Sequence, residues 1–255
     1  MSQGDADQLA EALLALRAMR ARIDALERAK PEPIAIIGIG CRFPGGATDP
    51  ERFWQLLRRG IDAITRVPAD RWSADRFAVS DPEAGGTIPA PYGGFLGDVR
   101  SFDPHFFGIT PREAIAMDPQ QRLVLEVAWE ALEDAGTVPG RLAGTQTGVF
   151  VGIGLNDYGR LQVTEQERDP RRIDTYSISG NALCITANRL SYLLDLRGPS
   201  MAIDTACSSS LVAIHMACQS LRTGESTLAI AGGVNVMLSP ATSVGAEPAT
   251  FSVEI

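Results

Sequence analysis

Apolar residues near the start of the chain recur at alternating spacings of three and four, as on one seam of a helix. The seam comprises Leu9, Ala12, Leu16, Met19, Ile23 and Leu26. This spacing fits an amphipathic helix that lies on its own domain, and it also fits a short parallel coiled coil. The helix-breaking sequence KPEP at 30–33 favours the coiled coil, because it ends the helix abruptly. A helix this short needs a dimeric body to hold it together.

Beyond residue 33 the pattern changes to apolar runs of strand length that alternate with helical spacings. The predicted strands are 34–39, 147–153, 200–206 and 226–238. The predicted helices are 49–60, 117–136, 177–198 and 208–224. Strands that are apolar throughout and alternate with helices predict an α/β fold with a sheet covered on both faces. Residues 62–110 are rich in Pro, Gly and aromatic residues, and we expect ordered surface loops there.

The first predicted strand runs into a glycine-rich turn, which suggests a dinucleotide-binding fingerprint. Gly38 and Gly40 fit the first two glycines of that motif, but Phe43 occupies the third position. The spacing therefore argues against a dinucleotide site.

Composition and charge narrow the class of protein. Hydrophobic residues make up 45% and charged residues 21% of the chain, as in a soluble globular protein. The formal net charge is −8 and Lys30 is the only lysine, which argues against a nucleic-acid partner. No uninterrupted apolar run of about 18 residues and no signal-peptide order are present, so we expect a cytoplasmic protein without a membrane partner.

The four cysteines are Cys41, Cys184, Cys207 and Cys218. They form no C-x-x-C pair and have no histidine at metal-ligand spacing, so we expect free thiols and no metal. Cys207 stands where a predicted strand turns into a helix, as the nucleophile does in a nucleophile elbow. The helix N-terminus would favour its thiolate and offer N–H groups to an oxyanion. The alternative is a small buried thiol, and the residues alone leave both open.

The neighbours of Cys207 are small or lie too far along the chain to act as its base. Ser208, Ser209 and Ser210 allow close approach and can cap the helix. His215 follows Cys207 by two helical turns, so we interpret it as a core histidine. His105 lies in an aromatic loop and is a weak candidate for catalysis. Cys184 and Cys218 are interpreted as helix packing residues.

Several motifs together resemble the β-ketoacyl synthase (ketosynthase) domain of modular type I polyketide synthases. The most specific are DTACSSSL, ANRLSYLLDLRGPS and PREAIAMDPQQRLVLEVAWEALEDAG. IAIIGIGCRFPGG, FWQLLRRGIDAI and YGGFLGDVRSFDPHFFGITPREA match as well. The resemblance is nearly continuous from residue 33 to about residue 240.

The resemblance implies a thiolase-like fold in αβαβα layers, of which this chain would hold the N-terminal half, and a two-fold homodimer. Cys207 would accept the growing acyl chain as a thioester, with its own backbone N–H in the oxyanion hole. Residues 201–205 would lie near the dimer axis, and the helix from Ser177 would line the acyl pocket. No cofactor would bind directly. The acyl group and a malonyl-type extender would arrive on the phosphopantetheine arm of an acyl carrier protein. A decarboxylative condensation would follow.

The resemblance also implies a role for the first 30 residues, as a coiled coil that docks an upstream synthase subunit. Its docking residues would be Leu9, Leu16, Met19, Ile23 and Leu26. We therefore divide the chain into a docking helix at 1–30, a ketosynthase half-domain at 31–240 and an atypical tail at 241–255. The tail matches nothing expected of the family and suggests a truncation or a frameshift.

The sequence departs from the family in its histidines. In the family, two histidines in H-G-T-G-T and N-x-G-H motifs polarise the malonyl carbonyl. These histidines and a lysine of the family all lie downstream of the cysteine. Here His105 and His215 are the only histidines, and no lysine follows Lys30. Two hypotheses follow: a condensing-enzyme fragment that carries the nucleophile but is inactive alone, or a non-catalytic docking and scaffold piece.

Overall fold

The computed structural model describes residues 3–28, 32–77 and 91–241. The chain divides into two compact units, Met1–Ala35 and Ile36–Ile255. In the first unit, helix α1 spans Gln3–Arg28. Leu16, Met19 and Ile23 are each at least half exposed, whereas the side chains of Leu9 and Leu26 lie outside the described residues.

The second unit contains a short antiparallel pair and a parallel sheet with its helices. Its strands are β1 (Thr65–Arg66), β2 (Tyr92–Gly93), β3 (Thr147–Gly152), β4 (Ser200–Ile203) and β5 (Leu228–Gly233). Its helices are α2 (Pro50–Arg59), α3 (Pro111–Ala116), α4 (Pro119–Asp134), α5 (Asp157–Arg168), α6 (Tyr176–Ser179), α7 (Leu183–Leu193) and α8 (Ser209–Thr223).

The parallel sheet has the order β4-β3-β5, and its central strand is buried along its whole length. Val149 and Val151 belong to the main core cluster with residues of α4 and α7. Phe150 instead packs with Ala213 and Ala217 of α8. Because successive side chains of a strand point to opposite faces, this alternation places α8 on one face and α4 with α7 on the other. The prediction of a sheet covered on both faces is confirmed for β3.

Two predicted helices have the capping that their sequences indicate. Asp49 accepts a hydrogen bond from the Arg52 backbone N–H at 2.8 Å, and Gly60 ends α2 in the left-handed region. Asp118 caps α4 by accepting from the Gln120 N–H at 2.8 Å. The strands predicted at 147–153, 200–206 and 226–238 are present but shorter.

The predicted helix at 177–198 is interrupted. The structure has α6 and α7 instead, and the stretch around Gly180 and Asn181 between them is a turn. The Gly180 carbonyl accepts from the Asp118 N–H at 2.8 Å and from the Gln121 side chain at 3.0 Å. These contacts to the start of α4 replace the bonds that would continue the helix.

The buried strand predicted at 34–39 is wrong. The residues form no strand, and Ile36 is 82% exposed. Among the described residues the parallel sheet contains only β4, β3 and β5, and residues 38–39 lie against α4 instead. The Ile39 N–H donates to Asp134 Oδ2 at 2.9 Å, and a Cβ atom at Gly38 would overlap the Ala131 carbonyl oxygen. An apolar run alone does not provide the hydrogen-bonding partner that a strand needs.

The loops predicted at 62–110 contain only the β1–β2 pair and one short 3-10 turn at Ala74–Arg76 among their described residues. Residues 78–90 lie outside the description. The predicted tail also lies outside it from residue 242 onward.

Candidate active site

Cys207 occupies a tight connection between β4 and α8, which we call the elbow (residues 204–209). The preceding residue, Ala206, has φ = 55°, in the left-handed region that costs a residue with a Cβ atom about 1–2 kcal/mol. The Ala206 N–H donates to Asp204 Oδ1 at 3.0 Å. A strained residue directly before a candidate nucleophile is typical of functional turns.

Side-chain hydrogen bonds of two serines fasten the elbow. The buried Ser209 hydroxyl accepts from the Thr205 N–H at 2.9 Å and donates to the Ala206 carbonyl at 2.7 Å. The Ser208 hydroxyl donates to the Thr205 carbonyl at 2.9 Å. Ser208 stands at the N-cap position but makes no side-chain cap bond, so the prediction of serine capping is wrong for this residue. Its hydroxyl holds the turn instead of the helix terminus.

The first turn of α8 packs directly on the carboxyl ends of two strands. A Cβ atom at Gly152 of β3 would lie 2.6 Å from the Ser209 carbonyl carbon. A Cβ atom at Gly233 of β5 would lie 2.7 Å from Ser210 Cβ. The absence of side chains at both glycines therefore allows α8 to begin where the three strands end. This is the sheet edge at which open α/β folds place their ligands.

The Cys207 side chain is exposed, which excludes the interpretation as a small buried thiol. Cys207 forms an isolated backbone bridge with Thr205, directly before the N-cap residue of α8. The thiol lies two residues before α8, where the helix dipole and free N–H groups favour negative charge. The arrangement can present a thiolate to an electrophile and an N–H to the oxyanion that forms.

Neither histidine is placed as a base for Cys207. His105 and His215 are both exposed, and the described residues contain no hydrogen bond from either side chain to the thiol. The interpretation of His215 as a core residue is wrong, because the buried residues of α8 are Ser209, Ala213, Ala217 and Ser220. His215 is not among them.

Cys184 is also exposed, so its predicted packing role is wrong, whereas Cys218 is half-buried. No three His, Cys, Asp or Glu side chains of the described residues are grouped so that they could hold a metal ion. None of the described helices is long and apolar enough to cross a membrane.

Sequence reasoning missed a buried polar cluster near the same sheet edge. It contains Asp118, Gln120 and Asp157, each at most 3% exposed. Burial raises the pKa of the Asp118 carboxyl, and hydrogen bonds from Gln120 oppose that rise. In the sequence, only Asp118 can be recognised, because it stands at the cap position of a predicted helix. Gln120 and Asp157 resemble the polar residues on the exposed surface of any helix.

Comparison with known proteins identifies the family. The family model described as "Beta-ketoacyl synthase, N-terminal domain" matches residues 31–254. The chain is 57% identical over 213 residues to one of the phenolphthiocerol/phthiocerol polyketide synthase subunits of Mycobacterium tuberculosis, a match that covers 84% of the chain. It is 51% identical over 243 residues, 92% of the chain, to another of these subunits from the same organism. Each match covers 11% of the relative.

Solved ketosynthases share the fold. An oxazolomycin ketosynthase domain from Streptomyces albus matches with a TM-score of 0.75 and 43% identity, over 82% of the chain and 35% of the solved domain. The ketosynthase from module 6 of the bacillaene synthase of Bacillus subtilis matches with a TM-score of 0.70 and 38% identity, over 82% and 32%. The chain thus spans about a third of these solved chains.

Proposed function

Because the chain belongs to the β-ketoacyl synthase N-terminal domain family, we propose that Cys207 accepts the growing acyl chain of a polyketide as a thioester. The observation that carries this proposal is the elbow. An exposed thiol follows a strained residue, directly before the start of α8. As predicted from the sequence, the fold is α/β and corresponds to the N-terminal half of the thiolase-like fold of ketosynthases.

The acyl transfer follows from this geometry. The Cys207 thiolate attacks the carbonyl carbon of an acyl thioester on the phosphopantetheine arm of a carrier protein. The carbonyl oxygen becomes an oxyanion, which the Cys207 N–H stabilises. Collapse of the tetrahedral intermediate breaks the bond to the pantetheine sulfur, and this thiolate takes up the proton that Cys207 lost. The products are acyl-Cys207 and the free carrier thiol.

Chain elongation needs a second step, which we propose that these 255 residues do not perform alone. Decarboxylative condensation breaks the bond between the α-carbon and the carboxylate of a malonyl-type thioester and releases CO2. The enolate left behind attacks the carbonyl carbon of the acyl group, and the bond from that carbon to the Cys207 sulfur breaks to free the thiolate. The two histidines that polarise the malonyl carbonyl in the family have no counterpart here, since His105 and His215 are the only histidines. Ketosynthases of the loading type, which only decarboxylate, have glutamine at the position of the nucleophile. The cysteine at position 207 therefore supports a ketosynthase of the elongating type.

The partners that we propose are an acyl carrier protein, an upstream synthase subunit and a second copy of the chain. The location that we propose is the cytoplasm. Among the strands of the described residues, β4 pairs with β3 alone and is half-buried, which supports a place near a dimer axis. Leu16, Met19 and Ile23 are exposed along α1, which supports a docking coiled coil in residues 1–30.

Product analysis tests the enzymatic proposal. The chain is incubated with a hexanoyl N-acetylcysteamine thioester and then with a malonyl-loaded carrier protein. We expect a hexanoyl mass increment on Cys207 and no carbon–carbon product, and Cys207→Ala should remove the increment. Formation of the elongated product by the purified chain would refute inactivity alone.

The exposed side chains of Leu16, Met19 and Ile23 in α1 also support the second hypothesis, a non-catalytic docking piece. Deletion of residues 1–30 separates the two, measured by binding of an upstream carrier protein and by acylation of Cys207. The docking hypothesis predicts that all measurable function is lost with the helix. The enzymatic proposal predicts that acylation survives the deletion.

A further inference from the structure

Asp157 is a buried carboxylate that nothing in the acyl-transfer step uses. It is the first residue of α5, follows the loop after β3, and is 2% exposed. Its Oδ2 atom accepts hydrogen bonds from the backbone N–H groups of Leu238 and Ser239, each at 3.0 Å. Burial of a carboxylate is costly unless it is hydrogen-bonded, and within the described residues the second oxygen, Oδ1, is buried without a partner. The two backbone N–H groups therefore provide the hydrogen bonding of this carboxylate.

Gln120 reinforces the same connection from α4. Its side-chain amide donates to the Leu155 carbonyl at 2.8 Å, and its Oε1 atom accepts from the Val236 N–H at 3.1 Å. Two buried side chains thus fix three backbone N–H groups of residues 236–239 next to the loop that follows β3. We call residues 234–239 the exit segment, because they lead away from the end of β5.

The other end of the exit segment lies beside the elbow. The Val234 N–H donates to the Gly152 carbonyl at 3.0 Å, and Gly152 and Gly233 both abut the first turn of α8. The loop after β3 also reaches the elbow, since a Cβ atom at Gly154 would lie 2.7 Å from Asp204 Oδ1. One carboxylate therefore connects both chain segments that flank the candidate nucleophile.

We propose that Asp157 is a positioning residue for acyl transfer to Cys207, which holds the exit segment in place beside the elbow. This inference rests on the proposed function of Cys207. Asp157 does not touch the thiol and acts through backbone positions alone. Its loss should leave the thiol accessible to small reagents but misplace the surface that orients a bound acyl thioester.

The test compares two reactions of the same thiol in the full 255-residue chain. Acylation of Cys207 by a hexanoyl N-acetylcysteamine thioester is followed by peptide mass spectrometry, and alkylation of Cys207 by iodoacetamide serves as the reference. We expect Asp157→Ala to lower the maximal acylation rate at least tenfold and to leave alkylation within twofold of wild type. Asp157→Asn keeps an oxygen that can accept both N–H groups and should retain acylation within threefold.

The outcomes separate the proposals. Unchanged acylation in Asp157→Ala would overturn the positioning role, and so would an equal fall of acylation and alkylation, which indicates only a stability role. If Asp157→Ala does not fold, judged by circular dichroism, Ser239→Pro removes one of the two donors without changing the carboxylate. It should lower acylation at least threefold with unchanged alkylation, and wild-type acylation would overturn the inference. Absence of acylation in the wild-type chain would instead refute the function proposed for Cys207, and with it this inference.

Discussion

The elbow at 204–209 and the apolar segment at 34–39 both follow the pattern of a strand that runs into a turn. The elbow follows a paired strand, and Ser209 together with Asp204 satisfies its backbone. The apolar segment has no strand partner among the described residues, and Ile36 is largely exposed. The difference shows that local pattern determines which residues can form a strand, whereas a neighbouring strand determines whether they do.

The largest expected contrast is in the free energy of unfolding. It compares Phe150, which packs against α8, with Ile36 of the apolar segment. Phe150→Ala should lower the free energy of unfolding by about 3–5 kcal/mol, because it empties the contact between β3 and α8. Ile36→Ala should change it by less than about 0.5 kcal/mol, because the side chain is exposed. Urea denaturation of both variants measures this, and a comparable loss in Ile36→Ala would show that the segment is buried in solution.

A smaller effect is expected where α8 meets the strand ends. Gly152→Ala places a Cβ atom against the backbone of Ser209 and Ser210, so we expect a loss of about 2–3 kcal/mol and slower acylation of Cys207. Gly232→Ala is the matched control in β5, since a Cβ atom there meets no atom within 4 Å. Equal stability of the two variants would contradict the close packing of α8 on β3.

Loss of one elbow hydroxyl should have a still smaller effect. Ser209→Ala removes the acceptor of the Thr205 N–H and the donor to the Ala206 carbonyl, so we expect a loss of about 1–1.5 kcal/mol. Ser210→Ala, at an exposed neighbouring position, is the control and should be neutral. If both variants behave alike in denaturation and in acylation, Ser209 does not hold the elbow.

The smallest expected effect is a pH dependence at the buried polar cluster. Burial raises the pKa of Asp118, so the unfolded chain loses this proton at a lower pH than the folded chain. Above the usual aspartate pKa of about 3.9, stability should therefore fall as pH rises towards the raised value. Asn can still cap α4, so Asp118→Asn should flatten this part of the unfolding free-energy profile. An unchanged profile would contradict the raised pKa.

Much of the fold, and the position of Cys207 at the turn from a strand to a helix, could be predicted from the sequence because they depend on local pattern. Asp118, Gly60 and the strand at 147–153 are examples in which spacing and capping residues determine the element. The exposure of His215 and Cys184 could not be predicted, since it depends on which helix face meets the sheet. The roles of Gln120 and Asp157 depend on contacts across more than 80 residues, which no local pattern encodes.

The central claim is that the elbow makes Cys207 the acyl acceptor, and the exposed Cys184 provides an internal comparison. The most direct measurement is the initial rate of acylation of each cysteine by a hexanoyl N-acetylcysteamine thioester, resolved by peptide mass spectrometry. We expect Cys207 to be acylated at least tenfold faster than Cys184. Equal rates, or faster acylation of Cys184, would contradict the account.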